Sequence, residues 1–292
     1  MKKLIVCLLT ITILLPACDP PREEQHLYDV FTNPPADARP MARWWWNGNA
    51  VEAVELKREL MLMKEAGIGG VEINSIAMPP HSVPTGAPAL QWAGSEWSEM
   101  VEVASQEARE LGMITDLIVG SGWPFGGRFL EEEEIMQRIG VKKYEPEPNE
   151  RVDIDLADFL KFESHHAPGS QIAKENSDVE VFAIKLIPVG LTSLDEVIDL
   201  GPHVKDGRLN YQVGDRDYVL VFLYNERNFM SVYHGSPGAD GPIMDHYKRE
   251  VVRAYLDRLK AIERETGVPL AELIRALFCD SIELGGSNWT DV

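Results

Sequence analysis

The sequence predicts an α/β fold built on a buried parallel sheet and interrupted by an inserted β-rich subdomain. Three observations predict it. Strand and helix signals alternate β-α-β-α-β in the first part of the chain. The strands are nearly continuous apolar runs, as parallel strands covered on both faces must be. The alternation then stops at about Ile135, gives way to strand-rich sequence, and returns near Asp245. Either a doubly wound sheet or a (β/α)8 barrel satisfies this order. No G-x-G-x-x-G motif follows the first strand, which argues against a dinucleotide site.

Residues 1–17 read as a leader: Lys2 and Lys3 precede an apolar run, Leu4 to Leu15, too short to span a bilayer comfortably. Leu15-Pro16-Ala17-Cys18 resembles a bacterial lipobox, so Cys18 is expected to carry lipid and anchor the protein to the cell envelope, on the periplasmic or surface face of the outer membrane. A plain secretory signal is the other reading. Residues 18–41 are rich in Pro, Asp and Glu and read as a tether and entry loop.

Residues 42–134 carry three strands. Arg43-Trp44-Trp45-Trp46 is the first, with Trp45 assigned outward against the helices and Trp44 or Trp46 inward. Asn49 can cap the next helix, with Glu52 completing a capping box. Leu56, Leu60 and Met63 share one face, and Gly67 stands where a helix ends. Gly69 to Asn74 is the second strand. Ser95 can cap a helix carrying Trp97, Val101, Ala104 and Ala108 at helical spacing, closed by Gly112. Met113 to Val119 is the third strand. Glu131 to Glu134 reads as an acidic first helical turn.

Residues 135–244 form the inserted subdomain. Strands are expected at Val152–Leu156, Val179–Pro188, Arg208–Val213 and Tyr218–Asn225, separated by turns such as Asp206-Gly207 and Gly214-Asp215. In residues 245–292, Asp245 can cap a long helix that Gly267 closes, and Leu273 to Asp280 is a fourth strand. Four strands cannot close a barrel and leave two open edges. A truncated gene product, or a second chain that supplies the rest, would account for that; truncation is preferred.

Composition narrows the partners. Lys plus Arg is 28 and Asp plus Glu is 47, a formal charge of −19. Without the leader's two lysines, 26 basic residues face 47 acidic ones, or −21. Such a chain is a poor partner for nucleic acid and suits neutral substrates, or cations held by carboxylates. Cys7 leaves with the leader and Cys18 takes lipid, so Cys279 alone remains in the fold and no intramolecular disulfide can form. There is no CxxC or HExxH pattern.

Ligands of a barrel sit at the carboxyl ends of its strands. There the sequence places Trp46, Asn47 and Asn49, then Glu72 and Asn74, then Asp116, Ser121, Trp123 and Phe125, and finally Asp280, Glu283, Asn288 and Trp289. Indoles stack on the apolar face of a sugar ring, while carboxylates and amides bind its hydroxyls. His234 to Gly241 with Asp245-His246 is a second cluster that could hold a cation, although it lacks the spacing of a calcium loop and reads better as a turn-rich linker.

Pro40-Met41-Ala42-Arg43-Trp44-Trp45-Trp46-Asn47-Gly48-Asn49-Ala50 and Leu62 to Ile73 resemble the opening of glycoside hydrolase family 106, the α-L-rhamnosidases. Gly120-Ser121-Gly122-Trp123-Pro124-Phe125-Gly126-Gly127 resembles the family's third-strand loop. Asp280-Ser281-Ile282-Glu283 with Asn288-Trp289-Thr290 resembles its fourth-strand motif, with Ile282 where an aromatic is usual. The resemblance implies the first half of a (β/α)8 TIM-type barrel with an inserted β-rich subdomain. It implies inverting hydrolysis of rhamnose-containing oligosaccharides or polysaccharides, with calcium possible and its ligands unknown. Members are longer, and their catalytic glutamates lie mainly on later strands, so this chain alone is expected to be inactive. Glu283 is the catalytic candidate here; Trp46, Asn47, Glu72, Trp123 and Asp280 are the substrate-binding candidates. The alternative is a lipid-anchored protein that captures glycan without cleaving it.

Overall fold

The computed structural model describes residues 27–82, 86–160, 178–280, 282 and 284–291. The leader, Cys18 and Glu283 lie outside the described residues.

A short helix, α1 (Leu27–Thr32), and a 3-10 turn lead into a β/α run: β1 (Met41–Asn47), α2 (Ala53–Glu65), β2 (Gly70–Ile76), α3 (Ser95–Glu110) and β3 (Ile114–Ile118). The inserted region holds β4 (Gln137–Tyr144), β5 (Arg151–Asp155), α4 (Leu156–Phe159), β6 (Asp178–Pro188), β7 (Ile198–Asp199), β8 (Val204–Lys205), β9 (Arg208–Gln212) and β10 (Tyr218–Arg227). Then come α5 (Arg249–Asp257), α6 (Lys260–Thr266), α7 (Leu270–Leu273) and β11 (Ala276–Phe278).

The architecture is mixed α/β. β1, β2, β3 and β11 make one parallel sheet in that order. β11 joins it only after the whole insertion. The sheet is open at β1 and β11, and the described residues close no barrel. The inserted strands form an antiparallel sheet, β4-β10-β6-β7, and a second one, β5-β9-β8. Between them lies their own core, with Val152, Ile184, Leu186, Leu209, Leu220 and Phe222 buried. Asp206 and Gly207 both take positive φ, 50° and 73°, as the tight turn between β8 and β9 requires.

One core unites the helices with the parallel sheet. Trp44 and Trp46 of β1, Val71 and Ile73 of β2, and Leu117 of β3 meet Leu56 and Leu60 of α2 and Trp97, Val101 and Ala104 of α3. Strand residues alternate sides, so Arg43, Trp45, Glu72 and Asn74 point to the face without helices. This reverses the expected phase of β1: Trp45 turns away from the helices, and Trp44 and Trp46 turn toward them.

Other local expectations shift for physical reasons. Gly67, Gly112 and Gly267 do stand at helix ends with φ of 87°, 64° and 74°. Asn49 does not cap α2, because its side chain is drawn into tertiary bonds, and Glu52 holds the cap position without a side-chain bond. Gly94 rather than Ser95 holds the cap position of α3. Glu131 to Glu134 make only a 3-10 turn, closed by a reciprocal capping box. The long helix expected from Asp245 is broken into α5 and α6, and starts at Arg249. Leu273 ends a short helix, so the fourth strand is just three residues long.

Candidate functional site

The face of the parallel sheet opposite the helices carries charge where the other face carries hydrocarbon. Arg43 lies beside Glu72 in the register and pairs with it, Nε to Oε2 at 3.5 Å. Its Nη1 donates to Asp280 Oδ2 at 2.5 Å. Arg43 and Asp280 belong to opposite edges of the sheet, which a flat sheet would hold about 14 Å apart at three strand spacings. Asp280 lies two residues past the end of β11, and its contact with Arg43 over this face fits a sheet that curves inward there; the face is called concave on that ground. Both pairs are about one-third exposed, so water still reaches them.

Deeper on β3, Asp116 is buried and accepts from the Arg275 guanidinium, with Nε to Oδ1 at 3.0 Å and a second bond from Nη2. Such a fork fixes the carboxylate in orientation as well as charge. Three carboxylates and two guanidiniums thus share the concave face and its lower edge.

Aromatic groups border them. The Arg43 guanidinium carbon sits 5.6 Å from the Trp45 ring centre and 5.5 Å from that of Phe278, within cation–π range. Trp45 is 40% exposed and meets Trp123 edge to face at 6.0 Å. Asn74, beside Trp45 in the register, is fully buried.

The loops at the carboxyl ends of the strands are locked by a buried polar chain. Ser121 Oγ donates to the Ser75 carbonyl at 2.9 Å and lies 2.8 Å from Ser236 Oγ. Asn49 Nδ2 donates to Ser236 Oγ at 3.0 Å and to the Leu90 carbonyl at 3.2 Å. Trp97 Nε1 donates to Ser75 Oγ at 3.0 Å. The excursion after β10 is thereby pinned over β1, β2 and β3. Trp123 and Tyr233 exchange both backbone bonds, at 2.9 and 2.7 Å. Gly122, with φ of 65°, allows that approach: a Cβ there would lie 2.4 Å from the Tyr233 carbonyl oxygen.

The predicted site residues separate accordingly. Glu72, Asp280 and Trp123 come together around Arg43 and Trp45. Asn47 is exposed at the end of β1. Trp46 is a correction: it is 1% exposed and packs edge-on against Trp44 and Trp97, at 5.8 and 6.4 Å, in the helix-side core. A ring enclosed in that way cannot stack on a ligand. Phe125 is likewise core, stacked on Tyr255 at 5.9 Å. Asn288 serves the insertion: it accepts from Ile139 N at 2.8 Å and donates to Ile139 O at 3.0 Å, so its amide pairs with edge strand β4 like a strand peptide.

Sequence reasoning missed Arg43 and Trp45. The signal was present: Arg43 and Asn47 share a strand face with Trp45, and two polar residues on one face mark it as the solvent side.

The second acidic cluster does not assemble. Asp240 pairs with Arg128 at 2.7 Å. Asp245 is buried and accepts from Tyr247 N at 2.9 Å and Thr290 Oγ1 at 2.7 Å. His246 holds the Met244 carbonyl at 2.8 Å, and burial lowers its pKa. Among the described residues no three His, Cys, Asp or Glu side chains converge as a metal site would need. No helix among them is long and apolar enough to cross a membrane.

Comparison with known proteins agrees with the motifs. Residues 32–158 match the family model described as alpha-L-rhamnosidase, of glycoside hydrolase family 106. The structure of a rhamnosidase from Novosphingobium sp. PP1Y is similar in fold, with a TM-score of 0.56 at 15% identity. The likeness covers 90% of this chain and 40% of that one. No curated protein matches. The resemblance to the rhamnosidase family is thus shown for residues 32–158, which hold the motifs of the first three strands and not the Asp280 motif.

Proposed function

We propose that this chain is the N-terminal portion of a rhamnosidase-like glycoside hydrolase, and that its concave sheet face is one wall of the site for a rhamnose residue of a glycan. A single observation supports the reading most: Glu72, Arg43 and Asp280 lie on one curved face, with Trp45 and Trp123 beside them. Carboxylates oriented by a guanidinium accept hydrogen bonds from ring hydroxyls. An exposed indole covers the apolar side of the ring. The curvature implied by the Arg43–Asp280 contact suits the first half of a (β/α)8 barrel, whose interior this face would line.

Inverting hydrolysis requires one acid and one base about 6.5–9.5 Å apart, with room for water between them. Glu72 and Asp280 both engage Arg43, which suits them to binding. Glu283, three residues beyond Asp280, is proposed as a catalytic carboxyl. Among the described residues no three carboxylates converge as a calcium site would need. Lipid on Cys18 would hold the protein at the envelope; metabolic labelling with a fatty acid, lost in Cys18→Ser, tests this.

A second reading is glycan capture without cleavage. It is favoured by the pairing of Glu72, Asp280 and Asp116 with guanidinium groups. One experiment separates the two. The protein is incubated with 4-nitrophenyl α-L-rhamnopyranoside, and binding of methyl α-L-rhamnopyranoside is titrated by calorimetry. Release of nitrophenol, reduced by orders of magnitude in Glu283→Gln, supports the hydrolase. Binding without release supports capture. Neither binding nor release contradicts both.

A further inference from the structure

Asn74 is the most anomalous side chain of the sheet. It sits on β2, on the face without helices, with no exposed surface. Neither its Nδ2 nor its Oδ1 has a hydrogen-bond partner. A buried amide left unpaired in this way costs about 1–3 kcal/mol for each group. Leucine at that position would fill similar space without the penalty. Nearly all buried polar groups in proteins find partners, so an amide orphaned at both ends calls for an explanation.

The surroundings supply one. Trp45 is its register partner on β1 and stands on the same face. Trp123 meets Trp45 edge to face, and its own Nε1 is also buried without a partner. The two indoles come from different elements, β1 and the loop after β3. Of the two, Trp45 is 40% exposed, and its described ring contacts are with Arg43 and Trp123. Two orphaned donors and one orphaned acceptor thus lie in and beside an indole pair, next to the Glu72–Arg43–Asp280 cluster.

We propose that Asn74 is a ligand-reading residue for a vicinal diol, covered in the free protein by the Trp45–Trp123 pair and uncovered when Trp45 swings aside to lie over the bound sugar ring. An amide suits this ligand. Its N–H donates to one hydroxyl oxygen and its carbonyl accepts from the adjacent hydroxyl, so both orphaned atoms are satisfied at once. A carboxylate or phosphate would satisfy Nδ2 alone and leave Oδ1 facing negative charge. A lone alcohol can bridge the two atoms only through bent bonds, whereas adjacent hydroxyls meet each along its own direction. The ligand class is therefore a neutral polyol with adjacent hydroxyls. This inference rests on the reading of the concave face as a sugar site and identifies what reads the ring there.

The test compares the whole chain with Asn74→Leu and Trp45→Ala by calorimetric titration. The probes are methyl α-L-rhamnopyranoside and its 2,3-O-isopropylidene derivative, in which the diol is blocked. The wild type is expected to bind the free diol at least tenfold more tightly than the blocked sugar. Asn74→Leu is expected to keep or raise Tm and to lose that discrimination. If it still prefers the free diol as the wild type does, while Trp45→Ala loses affinity, the assignment of Asn74 is overturned and the sugar site stands. If the wild type binds neither probe, the reading of the concave face fails and this inference fails with it. Should Asn74→Leu not fold, Asn74→Ala carries the same comparison, because it also removes both amide atoms.

Discussion

The two faces of the parallel sheet are built from alternate residues of the same strands, yet they have different work. On the helix face, Trp44, Trp46, Val71, Ile73 and Leu117 pack against α2 and α3 and exclude water. On the concave face, Arg43, Trp45, Glu72, Asn74 and Asp116 carry charge, amide and exposed ring. Stability is concentrated on one side and the capacity to bind a polar ligand on the other. A tryptophan on β1 therefore means opposite things at positions one residue apart.

That contrast is broken most easily at Trp46. Trp46→Ala is expected to lower stability by about 3–5 kcal/mol, the usual cost of emptying a buried aromatic site. Trp45→Ala, at a partly exposed position, is expected to cost less than about 1 kcal/mol. Urea unfolding followed by far-UV circular dichroism measures both, and comparable losses would erase the distinction between the faces.

A smaller effect sharpens the concave side. Arg43→Leu removes the cation between Glu72 and Asp280. Because these groups are about one-third exposed, the stability loss is expected to be about 1 kcal/mol or less. Sugar affinity, read by calorimetry, is expected to fall more than tenfold. Retained affinity would remove the triad from the binding surface.

Asn288→Ala tests a third place, the clamp on β4. Loss of two hydrogen bonds to Ile139 is expected to cost about 1 kcal/mol in the same urea experiment and to leave sugar binding unchanged. A large drop in sugar affinity would place the Asn288 motif in the site instead.

The smallest effect is a pH dependence. Burial holds the His246 pKa below its ordinary value of 6.5, and the ring packs against Phe125 at 6.5 Å. The unfolded chain therefore binds the proton more readily than the native one. His246 contributes stability that is fully present above 6.5 and declines as pH falls toward its folded value. His246→Gln is expected to flatten Tm in that interval; an unchanged slope would assign the dependence to other groups.

Much of this was legible in the sequence. The β/α order, the glycine helix ends and the Asp206-Gly207 turn follow from local chemistry that tertiary structure did not override. The phase of β1 was not read correctly, because three consecutive tryptophans erase the contrast on which a period of two depends. Arg43 and Asn47 carried the missing phase. Strand β4 escaped notice because its alternation of Arg138, Gly140 and Lys142 with Ile139, Val141 and Lys143 is weak, and its pairing with β10 comes from far along the chain. The fourth strand was drawn too long because Leu273 and Ile274 are buried in the helix-side core, which an apolar run alone cannot distinguish from a strand. Of the candidate site, Asp280 and Trp123 were readable from strand ends, whereas Glu72 is the third residue of β2 and lies in its amino half rather than at its carboxyl end. The Arg43 bridge depends on sheet curvature, which no sequence pattern reports.

The most direct test of the account sets Trp45→Ala beside Trp46→Phe in one experiment, with folding followed by circular dichroism and binding of methyl α-L-rhamnopyranoside by calorimetry. Trp45→Ala is expected to stay folded and lose at least tenfold in affinity, while Trp46→Phe is expected to lose stability and bind as the wild type does. Full affinity in Trp45→Ala, or lost affinity in a folded Trp46→Phe, would contradict the assignment of the concave face as the sugar site.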